Sequence, residues 1–350
     1  MLHDLFVPAC RAGLQRAPHT KVIPMKPKFI TTGSSGRRQA SLHVLVMATM
    51  SAGKSSFINA LIGRELLPSA NEATTACLTS IRHRPAARSL HGACYAHGGA
   101  HLETCQALTL GQVRAWNHNV AVGHICLSGR FDGLLALPAR LVLHDTPGPN
   151  NSQDGSHARF ALDAMHTVPF HILCYVLDSG QLGTEDDRAL LLQLREQLQQ
   201  RPDRRLIFIL NKVDLLDPER GEDLASCVGR TRNYLEGIGF SEPVIVPLMA
   251  ALALSARKAM TAVPLTRVER HRLRSALNTM AAAPTATMNA ADVPAHVQPL
   301  LLKHLARTGR PTAARHASVA PTRRQLEQLI GHSGIRTVEF LINHHHQPAI

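Results

Sequence analysis

The chain has no C-x-x-C pair, a single tryptophan, an aromatic share of 4% and no apolar run long enough to cross a bilayer. Each absence removes a class of protein. The seven cysteines (Cys10, Cys77, Cys94, Cys105, Cys126, Cys174, Cys227) are odd in number and scattered, so neither a disulfide scaffold nor a zinc ribbon is expected. Cys77 and Cys174 fall in apolar strand-like runs and are expected in the core. The longest apolar stretch, Val244 to Leu254, contains Pro247 and falls short of the ~18 residues a spanning helix needs. Scarce aromatics argue against a sandwich of many short strands. The first residues, MLHDLFVPACRAGLQRAPHTK, include an acid at Asp4 and no basic segment followed by a long apolar one. No secretory signal is expected, and the expected location is the cytoplasm or the periphery of a membrane.

What is present is ample core material: 350 residues, 45% of them apolar, enough for about two domains of ~150 residues each. The net charge of +13 is unevenly spread. Residues 1–42 hold seven basic residues against one acid, residues 43–261 hold twenty of each, and residues 262–350 hold eleven against four. A neutral middle with two basic ends suits a catalytic or switching domain with solvated arms for phosphate-rich partners.

Residues 1–42 carry prolines and the polar stretch TTGSSGRRQ, and read as a disordered basic leader. From Ser41 onward, short apolar strands alternate with helical segments: LHVLVMA, SSFINALIGREL, ACLTSIRH, ARLVLHD, FHILCYVLD, DDRALLLQLREQLQQ, RRLIFILN and EPVIVPL. That alternation predicts an α/β fold, a doubly wound and mostly parallel sheet with flanking helices. After residue 261 two helical segments, VERHRLRSALNTMAA and TRRQLEQLI, are separated by Ala/Pro/Thr-rich stretches, which reads as a basic, partly helical tail over 262–350.

Three motifs carry chemistry. Ala48-Thr49-Met50-Ser51-Ala52-Gly53-Lys54-Ser55-Ser56 lies between a strand and a helix, as a phosphate-binding loop must. A tight turn into a helix N-terminus aims the backbone N–H groups of Ser51 to Ser56 at a triphosphate, and the helix dipole adds positive potential. Lys54 supplies a full charge to the β and γ phosphates, and Ser55 a hydroxyl for Mg²⁺. Ala48 stands where the motif has its first glycine. The strand LVLHD ends in Asp145-Thr146-Pro147-Gly148, placing a carboxylate to hold the metal through water and the Gly148 N–H to meet the γ phosphate. The strand LIFIL ends in Asn211-Lys212-Val213-Asp214. There the Asp214 carboxylate accepts two N–H bonds from a guanine edge, Asn211 fixes the loop and the base, and the Lys212 stem covers the ring. Adenine offers no matching pair of donors, so the box selects guanine. Thr75, or the neighbouring Thr74, precedes the strand CLTSIRH and is placed to complete the Mg²⁺ shell. After VIVPL, Met249-Ala250-Ala251 is where a base loop falls, offering a backbone N–H.

Together, TMSAGKSSFINALIG, RELLPSANEATTA, DTPGP and NKVD resemble the GTPase domain of bacterial dynamin-like proteins over roughly residues 43–261, and YVLDSGQLGTEDD and HSGIRTVEFLI resemble that group as well. The resemblance implies a P-loop NTPase G domain that hydrolyses GTP to GDP and phosphate, with extra hairpins and helices over residues 83–135. It also implies stimulation by G-domain dimerisation and a helical stalk that assembles on membranes. The 89 residues after 261 hold only a truncated stalk-like region. Pro149 and Met50 occupy positions where relatives carry a water-orienting Gln, which leaves Ser51 as the assisting polar group and predicts slow turnover unless a second copy accelerates it. A second reading is a regulatory GTPase, or a non-hydrolysing nucleotide-bound scaffold, whose basic arms bind nucleic acid or a nucleoprotein partner.

Overall fold

A computed structural model of the chain describes residues 41–68, 77–134, 137–138, 140–147, 156–282, 286–307 and 320–344. Residues 1–40, Thr74, Thr75 and Gly148 lie outside these residues, and Leu42, the last residue of the expected leader, opens the first strand.

Nine strands form one sheet: β1 (Leu42–Ala48), β2 (Leu78–His83), β3 (His91–Ala96), β4 (His101–Cys105), β5 (Val122–Gly129), β6 (Leu141–Asp145), β7 (Ile172–Asp178), β8 (Arg205–Asn211) and β9 (Ile245–Leu248). Helices α1 (Lys54–Ile62), α2 (Leu110–His118), α3 (Ser156–Thr167), α4 (Glu185–Gln199), α5 (Leu224–Ile238) and α6 (Ala250–Met260) alternate with them. Five more follow: α7 (Arg267–Ala282), α8 (Ala286–Asn289), α9 (Gln298–Arg307), α10 (Arg323–His332) and α11 (Ile335–Asn343).

The order across the sheet is β4-β3-β5-β2-β6-β1-β7-β8-β9. From β6 to β9 every neighbour runs parallel. Such strands are covered on both faces, which is why β7 and β8 read as near-continuous apolar runs. Antiparallel pairing is confined to the other flank, where β2 meets β6 and β3 meets β4 and β5. The mostly parallel α/β fold expected from the alternation is therefore present, and residues 83–135 supply the additional hairpin, helix α2 and strand β5.

Cys77 and Cys174 are core residues as expected, and burial pushes both thiols up to about 12. Residues beyond 261 contribute to the same core as the sheet: Leu273, Leu277, Leu329, Ile335 and Val338 are buried with it. Helix α10 begins with a reciprocal capping box between Thr322 and Gln325, which fixes where the chain re-enters the fold. Among the described residues no helix is long and apolar enough to cross a membrane.

Two polar devices tie elements of the fold together. In α1, the fully buried Asn59 accepts from the Leu66 and Leu67 N–H groups at 3.0 and 2.9 Å and donates to the Leu67 carbonyl at 2.8 Å. One amide thus satisfies three backbone groups of the segment leaving the P-loop helix. Asn59→Leu strands all three, and chemical denaturation is expected to show a loss of about 2–4 kcal/mol.

The second is a chain of side chains over four adjacent strands: His43 to His144, His144 to Ser80, and Ser80 to His124, each contact 2.9 Å. Burial, then His171 and Arg82, lowers His43 to about 4, and burial lowers His124 to about 4. The unfolded chain takes up protons first as pH falls through the ordinary histidine value near 6.5, so stability is lost from there down to about 4. The urea midpoint is expected to drop across that window, and His124→Gln is expected to reduce the drop.

Candidate functional site

The parallel strands β1, β6, β7, β8 and β9 all end on one edge of the sheet, and their pairing puts the ends level. Val46 is opposite Asp145, Asp178 opposite Asn211, and Asn211 opposite Leu248. Ligands of open α/β sheets bind outside the carboxyl ends of the strands, where connections diverge to either side. Here that place is β1, flanked by β6 and β7.

The loop leaving β1 turns through left-handed backbone at Ser51 (φ 62°) and Gly53 (φ 92°) before α1 begins at Lys54. Only a glycine fits at 53, since a Cβ there would stand 2.3 Å from the Asn211 Nδ2. Ala48, at the motif's first-glycine position, is the last residue of β1, paired with Val176 and buried. Its methyl group belongs to the core and its backbone needs no left-handed turn.

Lys54 is buried, and its amine donates to the Asp145 carboxylate and, at 2.7 Å, to the Thr146 carbonyl. Ser55 is buried beside it and Asp145 fully so. Thr146 serves the frame, its hydroxyl donating to the Val46 carbonyl at 3.0 Å. The residues present fit a magnesium-bound nucleoside triphosphate: a glycine cradle that a Cβ would fill, a buried cation, and hard oxygen donors at Ser55 and Asp145.

Asn211 joins the two halves of the site. Its Nδ2 donates to the Ala52 carbonyl at 2.9 Å, its Oδ1 accepts from the Ala250 N–H at 3.2 Å, and its backbone carbonyl accepts from the Ser179 N–H at 3.0 Å. Lys212 adopts left-handed backbone (φ 65°) and is pinned by its amine, which donates to Asp178 at 2.7 Å. Asp178 also accepts from the Gly180 N–H at 3.0 Å. Of the four non-glycine residues with positive φ among those described, Ser51 and Lys212 both lie here, where strain is commonly stored.

Asp214 stands at the rim with its side chain open to solvent. Protein packed behind it nevertheless raises its carboxyl pKa, opposed by its own backbone N–H, Arg272 and Lys212. Ser51 is exposed and Ser56 half-buried on the same edge.

Lys54, Ser55 and Asp145 are thus brought together at one place, and Asn211, Lys212 and Asp214 at the next, with Ser51, Ala52 and Gly53 between. Thr75 and Gly148 fall outside the described residues. Motif reading missed Asp178, and its signal was a second carboxylate closing an apolar strand before a Ser-Gly turn.

Residues 44–213 match the family model of the dynamin family. A bacterial dynamin-like protein of Nostoc punctiforme is 46% identical over 56 residues, a match covering 16% of this chain and 8% of that protein. Two solved structures described as an oligomerised bacterial dynamin pair, offered as a mechanism for long-range sensing and tethering of membranes, match at TM-scores of 0.49 and 0.48. They are 14% and 16% identical, covering 77% of this chain and 42% of each of theirs. With the Ser51–Ser56 loop, the Asp145 strand end and the Asn211-Lys212-Val213-Asp214 box set on one sheet edge, residues 44–213 form a dynamin-like G domain.

Proposed function

We propose that this chain binds GTP with Mg²⁺ and hydrolyses it to GDP and phosphate, slowly alone and faster when two G domains pair. The observation that carries this reading is the Asn211 bridge, because one buried amide ties the phosphate loop at Ala52 to the base loop at Ala250. A site so joined reads the two ends of one nucleotide together.

In this reading the backbone N–H groups from Ser51 to Ser56 surround the phosphates, and Lys54 neutralises charge on the β and γ oxygens. Ser55 and Asp145 would hold the metal, with Thr75 as a further ligand, and the ion would there neutralise negative charge on the phosphates. The Gly148 N–H meets the γ phosphate. Ser51, exposed on the rim in a strained backbone, is the polar group that assists attack by water. The water oxygen bonds to the γ phosphorus, the bond to the β–γ bridging oxygen breaks, GDP departs with that electron pair, and the water's protons leave with the released phosphate or pass to solvent. Asp214 accepts from the guanine edge, and Lys212, steadied by Asp178, lies along the ring.

The G domain is proposed to span residues 43–261, with the helices beyond 261 packed on it. The basic flanks suit an anionic surface such as a membrane. Phosphate release in single turnover, followed over a range of protein concentrations, tests the reading. A rate that climbs with concentration is expected, and a fast rate independent of it contradicts the pairing.

A further inference from the structure

The loop proposed to recognise the base is not held by the G-domain motifs alone. Met249, between β9 and α6, donates its N–H to the Ser333 carbonyl at 2.8 Å, and Ser333 lies in the turn between α10 and α11, far along the chain. Ser333 is fully buried and its hydroxyl donates to the Ile330 carbonyl at 2.7 Å, so the accepting carbonyl sits in a fixed turn.

The next residue, Gly334, is the N-cap of α11 at φ +88°. A Cβ there would come 2.1 Å from the Pro247 carbonyl oxygen of β9 and 3.3 Å from Thr287 Cγ2. Backbone touches backbone at this point, and no side chain fits between.

With the Met249 N–H committed to Ser333 and the Ala250 N–H to Asn211, the Ala251 N–H is the next donor in the turn. Its direction follows from where those two bonds place the start of α6. Helix α11 is held in orientation further along. Glu339, 3% exposed, takes hydrogen bonds from Arg257 and Arg336, and Arg257 in turn donates to the Leu61 carbonyl of the P-loop helix at 2.8 Å. The α10–α11 hairpin therefore meets both the base loop and the far end of α1.

We infer that the Ser333-Gly334 turn is a positioning element for guanine recognition: it sets the base loop so that the Ala251 N–H faces the exocyclic oxygen of the ring. The inference rests on the GTP-binding reading above. It makes base selectivity depend on a turn some eighty residues beyond the loop, with the phosphate cradle reached only indirectly, through the Asn211 bridge and Arg257.

The test uses the full chain and three probes: GTP, ATP and inorganic tripolyphosphate, each with Mg²⁺. Gly334→Ala is expected to weaken GTP by about 10- to 100-fold, the scale of one displaced hydrogen bond. ATP and tripolyphosphate affinities should fall far less than that of GTP, so the GTP-to-ATP ratio should drop. A merely structural role would lower all three affinities together, and that result, or an unchanged ratio, overturns the inference. Should the variant fail to fold, hydrogen exchange on the natural sequence decides. By reciprocity of coupling, GTP must protect the amides of residues 333–338 more than tripolyphosphate does; equal protection, or none, overturns it. Absence of guanine preference in the natural sequence would instead defeat the GTP-binding reading beneath it.

Discussion

Lys54→Ala is expected to abolish phosphate release from GTP and also to weaken the fold. A single preorganised donor at a developing charge is worth roughly 100- to 1000-fold in rate, and Lys54 brings a full charge. The stability cost arises from its present partner. Asp145 is fully buried and its carboxylate is bonded to the Lys54 amine, so removing the amine leaves a desolvated carboxylate with its cation gone. Breaking a buried pair on one side costs about 3–5 kcal/mol. Adding Asp145→Ala removes the buried charge and should restore part of the stability while restoring none of the activity. Denaturation midpoints and phosphate release on the single and double variants separate the two effects. If Lys54→Ala keeps its turnover, the amine does not serve the phosphates.

Asp214→Asn is expected to exchange guanine preference for xanthine. A carboxylate offers two acceptors to the two N–H donors on the guanine edge, whereas a carboxamide offers one acceptor and one donor. Xanthine carries an oxygen where guanine carries its amino group, and so matches the amide. Mismatched buried donors and acceptors are rejected strongly, and a loss of GTP affinity of at least about 100-fold is expected, with a corresponding gain for xanthosine triphosphate. Because Asp214 is open at the rim, the substitution disturbs little packing, and circular dichroism should stay unchanged. Calorimetric titration with both nucleotides checks the exchange.

The sheet from β6 to β9 was legible because buried parallel strands read as unbroken apolar runs ended by polar residues. VLHD, YVLD and FILN each mark the edge where the chemistry lies. The antiparallel flank was harder. β4, HLETC, is exposed along most of its length, and β3 carries Gly92 against Trp116, so neither shows a clean period of two. The motif pairs declared Lys54 and Asp145 separately, yet nothing in their spacing announces that the two side chains meet. The same holds for Lys212 with Asp178 and for Asn211 reaching back to Ala52. Such contacts depend on strand register, which is set by the whole sheet. Residues beyond 261, read as a tail because of their Ala- and Pro-rich breaks, hold the least legible feature. The buried Glu339 and the crowded Gly334 look in sequence like an ordinary helix start.

The central claim is that the carboxyl edge of this sheet holds a guanine nucleotide by its phosphates and its base at once. Isothermal titration of the full chain with GTP and with ATP, both with Mg²⁺, tests it most directly. The account predicts saturable binding of GTP and at least about 100-fold weaker binding of ATP. Equal affinity for the two, or no heat from either on folded protein, would contradict it.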